Sequence, residues 1–275
     1  MTRLNNDQTA ICRANSLVNT IVGSAPWAGK AVRSLLAVTA LSTGLLFTQE
    51  VSAQVLLGGE QLVKGVSTAE ERVAQSDLWV MDIAFKPMRQ IVVEVTDPKT
   101  GEKKPEYIWY MTYRAFNRPI AQREVDNQPV NEFDPPVLPP MFVPEFTLVT
   151  QSETPEVIQD TISPEALAAI NKREKFTFQN SVEAVAPIPP AAEPKSPDEQ
   201  AISGVAIFRN VNPKAKRYTV YLTGFSNGIR TIEGPDGQPL VQHKTLMQKY
   251  WRPGDEFDQK EFEIRLDGEP EWIYR

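Results

Sequence analysis

Acid–base, nucleophilic and metal chemistry all meet the same shortage in this chain: it has a single histidine, His243, in the string PLVQHKTLMQKYW. A serine triad would have to assemble around that imidazole, and imidazole metal sites need more histidines than exist. Alternation places His243 beside Val241, Thr245 and Met247 on one face of a strand, where it makes local hydrogen bonds only. The only cysteine, Cys12, lies near the start. Thiolate nucleophiles, thiolate zinc and iron–sulfur sites are therefore not expected in the body of the protein. No D-x-[DN]-x-[DN]-G loop or glycine-rich phosphate loop occurs, so no cofactor or metal is expected.

Carboxylates are abundant, which leaves a hydrolytic pair open. Asp82 stands out because apolar residues flank it from Trp79 to Phe85; the alternation turns it outward, between Val80 and Ala84. The densest chemical signal is aromatic. EYIWYMTYRAFNRP (106–119) puts Tyr107, Trp109, Tyr110 and Tyr113 within seven residues, followed by Phe116. Read as a strand, it places Trp109, Met111, Tyr113 and Ala115 on one uncharged face, the core side. Tyr110 and Arg114 fall on the opposite face, and are the expected contacts for a partner.

The elements that hold these residues are mostly strands. Period-2 alternation recurs at LWVMDIAF, QIVVEVT, EFTLVT, 176–184, 203–209, RYTVYLT and KEFEIRL. Turn chemistry separates them: DPKTGE, NPKAKR, SNG, GPDGQP and RPGDE. One helix is expected, opened by Ser163 as N-cap and Pro164 at N1, and closed by Lys172 and Arg173. Two proline clusters, six between Pro129 and Pro144 and five between Pro187 and Pro197, read as extended connections lying against the body. The expected fold is all-β: an antiparallel, immunoglobulin-like β-sandwich over 77–275 with one short helix and proline-rich loops. A tandem pair of small sandwiches split near 151–175 is the alternative.

The N-terminal part reads as a leader. Lys30 and Arg33 precede a 13-residue apolar run, Leu35 to Phe47, and Val51-Ser52-Ala53 has the small final residue of a cleavage site. Thirteen residues fall short of the roughly 20 that cross a bilayer. Residues 1–53 are thus expected as a cleaved signal peptide and 54–76 as a linker, with no membrane span after cleavage. The whole chain carries a net charge of −6, and the leader's excess of basic residues makes the remainder more acidic still. Nucleic acid, which requires clustered Lys and Arg, is not an expected partner.

Six strings in order, LWVMDIAFKP, IWYMTYRAFNR, GVAIF, VYLTGFSNG, HKTLMQKYWRPGDE and EPEWIYR, resemble uncharacterised secreted proteins of planctomycete-type bacteria. The aromatic strand ending in Asn, with a later GVA…F strand, is similar more loosely to immunoglobulin-like envelope modules. The resemblance implies an exported single module and carries no catalytic or ligand residues. The function expected is therefore a non-catalytic envelope protein with a binding or structural role, meeting an envelope protein or polymer. Two alternatives remain: a subunit of an envelope or transport complex docking through the proline-rich segments, and a carboxylate-pair hydrolase.

Overall fold

Proline 87 interrupts what is otherwise one long strand, and the register on either side shows how. In the computed structural model, which describes residues 59–97, 100–120, 139–253 and 264–275, β2 (Asp82–Phe85) and β3 (Arg89–Thr96) both run antiparallel to β4 (Lys103–Phe116). Phe85 faces Tyr113 and Arg89 faces Tyr110, so four steps along one strand match three along the other. The extra residue is a bulge, placed where proline has no N–H to give to the ladder. β9 (Ala201–Phe208) takes the other edge of β4, pairing Phe208 with Trp109 and Ala201 with Phe116. β1 (Gln61–Val63) closes the outer side of β2. These five strands form the first sheet.

The second sheet is built around β12 (Pro239–Trp251). β10 (Arg217–Thr223) and β11 (Ile229–Glu233) lie along one edge of it, and β13 (Arg265–Leu266) and β14 (Glu271–Tyr274) along the other. β6 (Glu145–Thr150) and β7 (Val157–Gln159) extend it beyond β10. A two-stranded ribbon, β5 (Met141–Phe142) with β8 (Ala186–Pro187), pairs with neither sheet, while Phe142 packs into the core between them. All pairings between these strands are antiparallel, and only two helices occur among the described residues, α1 (Ala69–Ala74) and α2 (Pro164–Glu174). The architecture is all-β in this sense. The described residues fall in one compact unit.

Both sheets contribute to one apolar cluster. Met81, Ile83, Phe85, Trp109, Met111, Tyr113 and Phe208 come from the first, and Phe146, Leu148, Tyr218, Val220, Leu222, Leu246 and Tyr250 from the second. Trp109 meets Tyr218 edge-on at 5.1 Å, and Tyr113 meets Phe146 and Phe225 at 5.1 and 5.2 Å. The expected core face of β4 is thus the inter-sheet face.

The opposite face of β4 is buried too. α2 packs Ala166 and Ile170 onto Ile108, Tyr110, Val205 and Ile207, forming a second cluster. Its N-terminal cap is the one read from sequence: Ser163 Oγ accepts from Ala166 N–H at 3.3 Å and Pro164 opens the first turn. Lys172 and Arg173 lie in the last turn, and the helix ends one residue beyond them, with Lys175 as its C-cap at φ 53°. α2 connects β7 of the second sheet to the β8–β9 stretch leading into the first.

Three expectations are corrected. Residues 176–184 make no strand: after a single bridge at Gln179 the chain turns at 181–184, its register broken by Asn180 capping its own loop. Residues 59–76 are no linker, since they contain β1 and α1. Asp82 points inward, because the N-terminal segment and the loop after β4 cover the side that simple alternation leaves to water: it is 8 % exposed, accepts from Gly65 N–H at 2.8 Å, and pairs with Arg118 at 3.1 Å. The leader, residues 121–138 and most of KEFEIRL lie outside the described residues. No helix among the described residues is long and apolar enough to cross a membrane.

Candidate functional site

Thr68-Ala-Glu-Glu71 carries a capping box: Thr68 Oγ1 accepts from Glu71 N–H, and the Glu71 carboxylate accepts from Thr68 N–H at 2.7 Å. The same carboxylate is reached from the second sheet. Lys244 Nζ of β12 donates to both of its oxygens, at 2.7 and 2.8 Å, and Tyr274 Oη of β14 donates at 2.5 Å. Burial alone would raise the pKa of Glu71; the bonds from Lys244, Tyr274 and Thr68 and the charge of Lys244 outweigh it and hold the carboxyl below its usual range. Burial and the bond to Glu71 push the Tyr274 phenol up to about 12. Four donated hydrogen bonds leave this acid no free lone pair aimed at a substrate. The cluster is a clasp between α1 and the second sheet.

Beside the clasp is a cleft of about 280 Å³ between α1 and β11, lined by Glu70, Gln75, Leu78, Ile229, Arg230 and Tyr274 among others. Gln75 fixes its floor, accepting from Ile229 N–H at 3.2 Å and donating to the Asn227 carbonyl at 3.0 Å. Arg230 lies over the Tyr274 ring at 4.3 Å. Glu70, Ile229 and Arg230 are exposed at its mouth. An acid, a guanidinium and an aliphatic side chain suit recognition of a polar chain.

The residues singled out from sequence are elsewhere. Tyr110 is 1 % exposed beneath α2, and its hydroxyl donates to Glu174 at 2.8 Å. It is therefore no partner contact: the helix occupies the face that was expected to be free. Glu174 also receives Lys86 at 2.7 Å and Arg89 at 3.0 Å. Burial works against its ionisation, but those bonds and charges hold its carboxyl low, while burial and Glu174 raise the Tyr110 phenol. Arg114 is half-buried and pairs with Glu60 at 2.5 Å, with its guanidinium 5.3 Å from the Phe116 ring, so it too is committed within the chain.

His243 is exposed on β12, and its backbone N–H and C=O both pair with Arg275. The pentad Gly224–Gly228 (GFSNG), read from sequence only as a turn, does have the G-x-S-x-G spacing of a nucleophile elbow. It joins two strands, β10 and β11, with no helix following. Ser226 Oγ is buried, donating to the Trp79 carbonyl at 2.9 Å and accepting from Gly228 N–H at 3.0 Å. It is a structural serine. Asp82 and Glu199 are both bound by the Arg118 guanidinium. The second proline cluster is held to the body by Asn117, which donates to the Pro189 carbonyl, and by Arg118, which donates to that of Ala192.

Sequence reading missed Glu71, Lys244, Tyr274 and Arg230 as a group. The T-x-x-E string at 68–71 was the one local signal, and it announces the helix start alone. Among the described residues no cluster of three or more His, Cys, Asp or Glu side chains is placed to hold a metal ion. Compared with protein-family models, curated proteins and solved structures, the chain matches none.

Proposed function

We propose that the protein is exported, with cleavage after Ala53, and serves in the cell envelope as a non-catalytic, immunoglobulin-like module that binds an envelope protein or polymer. The observation that carries this reading is the α1–β11 cleft. Its ionic cluster is consumed internally by the Glu71 clasp, whereas Glu70, Arg230 and Ile229 stand open at its mouth. Such a site supplies polar recognition without a reactive group. Export is supported by the apolar run from Leu35 to Phe47 and the basic residues before it.

The test is fractionation of the native organism's cells carrying either the wild-type protein or a Glu70→Lys/Arg230→Glu double variant. Wild type should be retained in the envelope fraction and the variant released by washing, with binding weakened about tenfold, or about 1.4 kcal/mol. Equal retention of the two would remove the cleft from the account, and a cytosolic wild-type protein would remove the export.

A further inference from the structure

We propose that β11 is a self-pairing edge, joining two copies of this chain antiparallel through a two-fold axis at Ile232. β11 and the first five residues of β12 form a hairpin exposed on both faces. Ile229, Ile232, Leu240 and Val241 are 53, 37, 48 and 50 % exposed on it, an aliphatic content that strands facing water on both sides do not ordinarily carry.

The hydrogen-bond pattern shows which groups of that edge are open. His243 gives its N–H and C=O to Arg275, on the side away from β11. The pair Ile229↔His243 is therefore of the non-hydrogen-bonded kind, and with it Thr231↔Val241 and Glu233↔Pro239. Proline at 239 agrees, having no N–H to give. Ile229, Thr231 and Glu233 consequently direct their backbone groups outward. Gln75 caps the Ile229 N–H. Thr231 and Glu233 have no partner for theirs among the described residues, which leaves a short ladder of two residues unpaired.

An antiparallel partner must oppose outward residues with outward residues. Pairing Thr231 with Glu233 of a second copy, and Glu233 with its Thr231, satisfies both residues on both chains and leaves Ile229 with Gln75. That register sets Ile232 opposite Ile232, so Leu240, Ile232, Ile232 and Leu240 form one continuous row on the same face of a four-stranded ribbon. The register two residues lower, centred on Arg230, opposes two guanidinium groups and is excluded by charge. The resulting interface is isologous and closes at two copies. It goes beyond the binding role of the cleft, and it shares Thr231 with the lining of that cleft.

Sedimentation equilibrium of the full chain, over about 1–100 μM, tests the proposal with Cys12→Ser as background. The expected result is a reversible dimer, with Ile232→Lys reduced to monomer at every concentration; Ile232 is exposed, so the variant keeps its fold, checked by circular dichroism. Mild oxidation should cross-link an Ile232→Cys variant to itself and leave an Arg230→Cys variant uncross-linked. A monomeric background protein throughout the range overturns the proposal. So does a dimer that survives Ile232→Lys, or cross-linking at Arg230→Cys in place of Ile232→Cys.

Discussion

Tyr113 lies across Gly204. The two face each other in the β4–β9 register, and a Cβ added to Gly204 would sit 2.4 Å from Tyr113 Oη and 2.5 Å from Cζ. The ring uses the missing side chain of the neighbouring strand to reach Phe146 and Phe225. Gly204→Ala should therefore cost about 1–3 kcal/mol by overpacking, read as a lower urea midpoint. In a Tyr113→Leu background the same alanine should cost clearly less, since the obstructing ring is gone. Equal costs in the two backgrounds would show that the ring is not the obstacle.

The Tyr113 hydroxyl itself is buried with no hydrogen-bond partner among the described residues, and burial pushes its ionisation far up. Deleting an unsatisfied buried oxygen removes a desolvation cost. Tyr113→Phe should leave stability unchanged or raise it, by up to about 1 kcal/mol. A loss larger than that would show the hydroxyl to be engaged.

Trp109 and Tyr110 are adjacent on β4 and bury opposite faces, one between the sheets and the other under α2. From sequence, Tyr110→Ala is expected to be the milder change. The structure reverses that expectation, because the tyrosine is as buried as the tryptophan and also bonds Glu174. Each alanine substitution should cost about 3–5 kcal/mol, a large part of an ordinary domain's 5–15 kcal/mol or so. Matching drops in the urea midpoint are the expected outcome; a harmless Tyr110→Ala would contradict the packing of α2.

How much of this was legible in the sequence depends on the range of the signal. β10 coincides with RYTVYLT because its alternation is local, and α2 matches its caps because Ser163 and Pro164 act within one turn. Tyr110 and Asp82 were misjudged for a shared reason. Alternation separates two faces of a strand, but it does not reveal whether a helix or a distant loop covers the second one. The Glu71 clasp was invisible because Lys244 and Tyr274 arrive from 173 and 203 residues away. The exposed hairpin at β11 was legible only as a turn, at GPDGQP.

The clasp has a pH signature. The carboxyl of Glu71 titrates lower folded than unfolded, so its stabilisation is present above the unfolded value and is lost as pH falls through the folded one. Tyr274 moves the other way: its folded value is about 12, above the ordinary 10.0 of tyrosine. Its contribution is complete below about pH 10 and disappears as pH rises toward 12. Lys244→Met should flatten the acid limb, because the cation that depresses Glu71 is gone. Urea midpoints of wild type and variant between pH 3 and 6 or so check this; parallel curves would mean that Glu71 gains nothing from Lys244.

The central claim, an exported envelope protein, is tested most directly by the intact mass of the native protein recovered from fractionated cells. The account predicts an envelope-associated species whose mass corresponds to a chain beginning at Gln54. A full-length species in the cytosol would contradict it.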